Sequence, residues 1–373
     1  MPRPESVQAE SVQDGGILDR FADNPSPQRR RDRRRLRIVL TCLGVCLLLV
    51  LGVTVAGAWL LERHLTGQIG TIPNAFAGLT NRPVKPTVGT AGRATNILLV
   101  GSDRRSPVQT TGSRAAAAEW LPGAQRSDTL MLVHVSGDRR NVTVVSIPRD
   151  SWVPIPGHGM AKINAAFSWG GPSLLVGTVE GLTGVRIDHL AVVDWDGFRR
   201  LTDALGGVDV TVARTVYDPA RRHTWTAGVH HLDGAQALLY VRQREGLPAG
   251  DLDRVQRQQN LLRLLVHKAF ATSVWSDPVR HYKMLSAITA NLSTDSGWTV
   301  HQIGHLARQL SDLTLDDFYF TTAPITGTGR VGSQDVVFLA GAADHRLWHA
   351  LEIDHAPAWF DQHPGAQLPT TID

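Results

Sequence analysis

The chain has 373 residues, 42% of them apolar, and a formal charge of +4, which suits one large folded domain or two ordinary ones and excludes a wholly disordered chain. The charge sits at one end: residues 1–37 hold nine Arg and no Lys against six Asp or Glu, which leaves about +1 from Glu62 onward. A main part so nearly neutral lacks the broad basic face that nucleic-acid binding demands.

Residues 1–37 have no apolar periodicity and are expected to form a disordered basic tail that ends in RRRDRRRLR, Arg29–Arg37. The next 24 residues, Ile38–Leu61, carry no charge; at about 1.5 Å per residue they can cross a hydrocarbon core of about 30 Å as one transmembrane helix. Ala56-Gly57-Ala58 has the small-x-small form of a cleavage site, but the run is longer than the roughly 7–15 apolar residues of a secretory signal. The arginines before it put the N-terminus in the cytoplasm and everything after Leu61 outside. Both cysteines, Cys42 and Cys46, lie inside the span, so the exterior part has no thiol for a disulfide, a zinc site or a nucleophile.

Residues 62–94, punctuated by Pro and Gly, are expected to be a juxtamembrane linker. The folded domain is expected over 95–355, with a C-terminal tail at 356–373. NILLVGSD, TLMLVHVSG and NVTVVSIPRD have strand character, the last two joined by a turn at Gly137–Arg140. GGPSLLVGTVEGLTG places Pro172 in a first helical turn, and DGFRRLTDALGG is helical up to a stop at Gly206. LDGAQALLYV opens with Asp233 and Gln236 spaced for a capping box, and DLDRVQRQQNLLRLLVHKAF follows as a long helix. Two more helices, the strands FYFTTAPI and DVVFLAG and a last helix near HRLWHALE complete an α/β pattern, a mixed sheet between helical layers.

Walker, dinucleotide-binding, G-x-S-x-G and H-E-x-x-H signatures are all missing. What recurs is Arg and Asp at the ends of elements. Asp103 follows one strand and Asp128 precedes another, so both reach one rim if those strands are neighbours; such a pair suffices for Mg²⁺, and turn or cap aspartates are the plainer alternative. Arg149 follows a buried-type strand, where it can fork a phosphate or pair with Asp150. KINAAFSWGGP adds Lys162 and Asn164. Arg242 and Arg244 lie at a helix C-terminus, which the macrodipole favours without any ligand. Arg254 and Arg257, with Gln258 one position on, lie at the next helix's N-terminus, where cations are disfavoured and an anion would offset the cost; Asp251 and Asp253 could do so as caps.

NILLVGSDRR, RSDTLMLVHV, VVSIPRD, KINAAFSWGG, VVDWDGFRRLTDALGGVDV, HHLDGAQALLYVRQR and GDLDRVQRQQ together resemble the LytR-CpsA-Psr family of bacterial cell-envelope proteins. The resemblance runs from about Thr95 to Lys268 and more weakly to about residue 352. It implies an extracytoplasmic α/β domain with an apolar lipid pocket. It also implies Mg²⁺-dependent transfer of a glycopolymer with one phosphate from a polyprenyl-pyrophosphate carrier to peptidoglycan, at the 6-hydroxyl of muramic acid. Mn²⁺ is the substitute metal, the membrane is a partner, and nucleic acid is not. On the family's motifs, Asp103 and Asp128 match the metal-associated aspartates. Arg149, Arg242, Arg244, Arg254, Arg257 and Gln258 match the pyrophosphate-binding group, and Asp103, Arg149 and Arg254 are the expected catalytic residues. The insertion between Asp103 and Asp128 departs from compact members and is expected to form a loop over the site. Alternatives are a lipid-carrier pyrophosphatase and a non-catalytic membrane-bound regulator.

Overall fold

The computed structural model describes residues 69–87, 89–104, 125–270, 277–369 and 372. The chain divides into two units, Met1–Leu60 and Leu61–Asp373, and the described residues all fall in the second. Among them no helix is long and apolar enough to cross a membrane. The basic tail, the span expected over 38–61 and most of the insertion after Asp103 lie outside the described residues.

The first strands are β1 (Gly70–Ile72), β2 (Thr95–Arg104), β3 (Gln125–Val135) and β4 (Val142–Ser146). A hairpin of β5 (Trp152–Ile155) and β6 (Gly159–Lys162) leads into α1 (Ile163–Thr183), then β7 (His189–Asp194) and α2 (Trp195–Ala204). Short strands β8 (Val208–Val212), β9 (Val216–Asp218), β10 (His223–Trp225) and β11 (Gly228–Leu232) precede α3 (Gly234–Arg242), α4 (Asp251–Phe270) and α5 (Pro278–Asn291). The chain closes with β12 (Leu292–Asp295), α6 (Val300–Gln309), β13 (Phe318–Thr322), the hairpin β14 (Ile325–Val331) and β15 (Gln334–Leu339), α7 (Gly341–Glu352) and α8 (Ala356–Gln362).

The central sheet has seven strands in the order β1-β12-β7-β2-β3-β4-β13. It is mixed: β2 runs antiparallel to β3 and parallel to β7, and β4 runs antiparallel to β3 and parallel to β13. Apolar side chains alternate between its two faces, as a pleat with period two requires. Leu98, Val100, Leu130, Leu132 and Val145 enter one core with α1, α7 and α8, whereas Ile97, Met131, Val133, Val142 and Val144 enter a second with α4 and α6. Helices thus cover both faces, in α-β-α layers. A third cluster joins β8 and β11 to α3 and α4 through Val208, Val210, Tyr240 and Leu261.

Two expectations about the ends need correction. The segment read as a linker is structured from Gly70: β1 pairs in parallel with β12, and Arg82 forks Glu180 at 2.7 and 3.1 Å while Lys85 pairs with Asp188 at 2.8 Å. These partners are distant in sequence and three residues of strand carry no periodicity, so local pattern could not reveal them. The segment read as a tail is likewise packed, because α8 buries Trp359 and Phe360, and Leu368 and Ile372 enter the second core.

Candidate active site

The site is built at the rim of the β2–β3–β4 edge. β2 and β3 are neighbours, and their register slips between Gly101↔Thr129 and Ser102↔Ser127, which leaves Asp128 as the extra residue of a bulge. A bulge re-aims the side chain it carries. Asp103 lies at the same end of the ladder, in register with Arg126. The hydroxyls of Ser102 and Ser127, paired across the strands between the two aspartates, are buried without a hydrogen-bond partner among the described residues.

Arg149 stands just beyond β4, where Pro148 ends the strand. Its backbone is pinned, for its carbonyl accepts from Asn164 N at 3.1 Å and the next peptide, through Asp150 O, accepts from Val337 N at 2.9 Å. Its guanidinium donates to Asp128 Oδ1 at 2.5 Å and lies 3.6 Å from Asp150 and 3.7 Å from Asp251. Burial opposes the charge, but Asp128, Asp251 and Asp150 outweigh it and hold the pKa above the ordinary arginine value.

Arg254 approaches from the first turn of α4. Its Nη2 is 2.6 Å from Asp251 Oδ1, close yet misaligned for a hydrogen bond, and its buried Nε has no hydrogen-bond partner among the described residues. Burial, incompletely offset by Asp251 and worsened by Arg149, lowers its pKa. Asp251 therefore does more than cap: one carboxylate oxygen bridges two guanidinium groups. Asp253 is the cap-like residue, accepting from Ala249 N at 2.7 Å.

Arg149, Asp128, Asp150, Lys162, Asn164 and Arg244 line a cleft of about 600 Å³. Lys162 pairs with Asp150 at 3.0 Å. Arg244 is carried by the turn between α3 and α4, which closes through Gly246 at φ 80°, where a Cβ would meet Tyr217 O at 2.0 Å. The other expected residues sit differently. Arg242 is exposed, with its guanidinium 5.5 Å from the Trp195 ring centre. Arg257 is wholly buried, donates to Gln243 Oε1 at 2.7 Å and lies 4.4 Å from the Tyr240 ring centre, so it ties α3 to α4. Gln258, also buried, reaches Val241 O at 3.5 Å. Sequence reading missed Asp251 as a bridge, although an acid three residues before an Arg on one helix face was the available signal.

Among the described residues no three His, Cys, Asp or Glu converge as metal ligands. Asp103 and Asp128, which the β2–β3 ladder brings to one strand end, are hard oxygen donors of the type that fits Mg²⁺ completed by water and phosphate oxygens.

Known proteins share this framework. The model of the LytR_cpsA_psr family matches residues 77–351. The cell wall biosynthesis protein LcpA of Corynebacterium glutamicum is 35% identical over 279 residues, 66% of this chain and 53% of that protein. The probable cell wall biosynthesis protein LcpB of the same organism is 40% identical over 226 residues, 61% and 53% of the two. The chain thus spans about half the length of these relatives. The polyisoprenyl-teichoic acid–peptidoglycan teichoic acid transferase TagU of Enterococcus faecalis is 30% identical across 69% of this chain and 79% of its own. Among solved structures, TagT bound to LIIa-WTA superposes with a TM-score of 0.56 at 25% identity, covering 75% of this chain and 98% of that one. The LytR-Csp2A-Psr enzyme from Actinomyces oris shares the fold at a TM-score of 0.58 and 22% identity, over 76% and 96%.

Proposed function

The chain belongs to the LytR_cpsA_psr family, and from that premise we propose that it moves a glycopolymer, with one phosphate, from a polyprenyl-pyrophosphate carrier to the muramic acid 6-hydroxyl of peptidoglycan. The observation that carries this reading is the pair Arg149 and Arg254. Two guanidinium groups, that of Arg254 buried and that of Arg149 half-buried, lean on one carboxylate oxygen, and each has a buried Nε without a hydrogen-bond partner among the described residues. Asp251 supplies the counter-charge that an anionic ligand would supply in its place.

A pyrophosphate diester resists attack because its anionic oxygens repel the nucleophile and because its leaving group departs as an anion. Arg149 and Arg244, which line the cleft, and Arg254, which shares Asp251 with Arg149, would bring fixed positive charge to both in surroundings partly withdrawn from water, where such charge counts most. The acceptor oxygen bonds to the sugar-bearing phosphorus, the bridging P–O bond breaks toward the prenyl phosphate, and the hydroxyl proton passes to a carboxylate. We assign that proton to Asp103. Asp103 and Asp128 would hold Mg²⁺, or Mn²⁺ in its place, which when bound stabilises phosphate oxygens as a Lewis acid. Residues 38–61 would anchor the protein with the second unit outside the cytoplasm, and an apolar pocket would take the prenyl chain.

Full-length protein in detergent with Mg²⁺, lipid-linked glycan and a peptidoglycan oligomer should yield the joined product. Arg149→Ala and Arg254→Ala should each slow it by about 10²–10³-fold with the circular dichroism spectrum unchanged. Undiminished turnover in both variants overturns the assignment, and consumption of donor without acceptor identifies a hydrolase instead.

A further inference from the structure

The cleft carries apolar side chains that phosphate chemistry leaves unused. Besides Arg149 and Lys162 it is lined by Trp152, Met160 and Trp169. Trp169 is 43% exposed and Met160 51% exposed, among the largest apolar side chains left open to solvent in the described residues.

The backbone explains why the indole stands out. Gly171, at φ 66° and ψ −155°, breaks α1, and Pro172 restarts it, so Trp169 lies in the last turn before a kink. His158, from the β5–β6 turn, braces it at 5.0 Å between ring centres and 33° between planes. Polar groups share the cleft with this aromatic face. Asn164, and Gln334 and Asp335 at the start of β15, line the same cleft, with Asp335 also paired to Arg330 at 3.2 Å. An open aromatic plate in one cleft with amide and carboxylate side chains suits one ligand class above others. A pyranose stacks its axial C–H bonds on the indole and gives its hydroxyls to the amide and carboxylate oxygens, whereas a prenyl chain would leave those polar groups unpaired.

We propose that Trp169 is the floor of a sugar subsite in the same cleft as Arg149 of the anion clamp, and that it holds a pyranose ring of the glycan substrate. The inference rests on the transferase reading above. The ring can come from the acceptor's amino-sugar chain or from the first sugar of the donor, and the same experiment separates these sources.

The test is calorimetric titration of the full-length protein in nanodiscs with two probes. One is the N-acetylglucosamine–N-acetylmuramic acid disaccharide; the other is farnesyl pyrophosphate carrying N-acetylglucosamine. Trp169→Ala should weaken one of the two by about tenfold, and Trp169→Phe, which keeps an aromatic face, should recover most of it. Loss with the disaccharide assigns the acceptor, and loss with the farnesyl probe assigns the donor. No change with either probe overturns the subsite. Arg149→Ala keeps the two proposals apart, because it should abolish binding of the pyrophosphate probe. If it does not, the clamp reading fails even where the Trp169 effect stands.

Discussion

At the residue scale, Arg254 and Arg257 lie three positions apart on one helix and have opposite meanings. Arg257 has a hydrogen bond to Gln243 and an aromatic ring beneath it, so its burial is compensated. Arg254 is buried with one misaligned carboxylate contact, and burial lowers its pKa. Arg254→Met should therefore abolish transfer at no cost in thermal stability, while Arg257→Met should cost about 1–3 kcal/mol by leaving a buried amide unpaired; parallel denaturant unfolding and turnover assays of the two check this. Asp344 gives a pH signature. Burial, partly offset by a backbone hydrogen bond from Ala340, raises its pKa from 3.8 to about 6. A carboxyl raised on folding favours the native state while protonated and penalises it as pH rises through the folded pKa. Asp344→Asn should thus stabilise the protein at pH 7.5, by an amount on the order of 1–3 kcal/mol, and have little effect below about pH 4, as urea melts at the two pH values would reveal.

At the element scale, the periodic segments were legible and the long-range ones were not. The strands β2, β3 and β4, the capping box of α3 and the helix α4 follow from alternation, spacing and caps within a dozen residues. The β2–β3 adjacency that brings Asp103 and Asp128 to one rim was a condition the sequence could pose but not decide. The β5–β6 hairpin, the strands between α2 and α3, and the packing of residues 70–87 went unread. What fixes them is distant: Glu180 takes Arg82 on its carboxylate and accepts from Ile187 N at 2.9 Å. Removing one partner of a buried ion pair strands the other, so Arg82→Ala should cost about 3–5 kcal/mol and free residues 70–87 to exchange, which amide hydrogen exchange would detect. A second tie holds the end of α7, where Asp354 takes His134 Nε2 at 3.0 Å and Gly137 N at 3.1 Å. Asn96 Nδ2 is committed to Arg186 O, which leaves its Oδ1 for His134 Nδ1 at 2.7 Å.

At the scale of the whole molecule, both cores are completed by the last residues of the chain. Ending it after His355 would strip Trp359 and Phe360 from one core and Leu368 and Ile372 from the other. At about 1.5–3 kcal/mol for each large apolar side chain, the loss rivals a domain's whole stability of about 5–15 kcal/mol. The truncated protein should be recovered unfolded or aggregated, with its far-ultraviolet dichroism lost. The clamp imposes a similar dependence in time. Arg149 and Arg254 are more than a hundred residues apart in the chain, whereas β2, β3 and β4 are successive antiparallel neighbours in the sheet. Loop closure costs entropy before a distant contact returns anything, so the β3–β4 hairpin can form early and the meeting of the two arginines comes late. A chain halted partway presents a sheet without the clamp, and the convergence of Arg149 and Arg254 on Asp251 is acquired only by molecules that have finished folding.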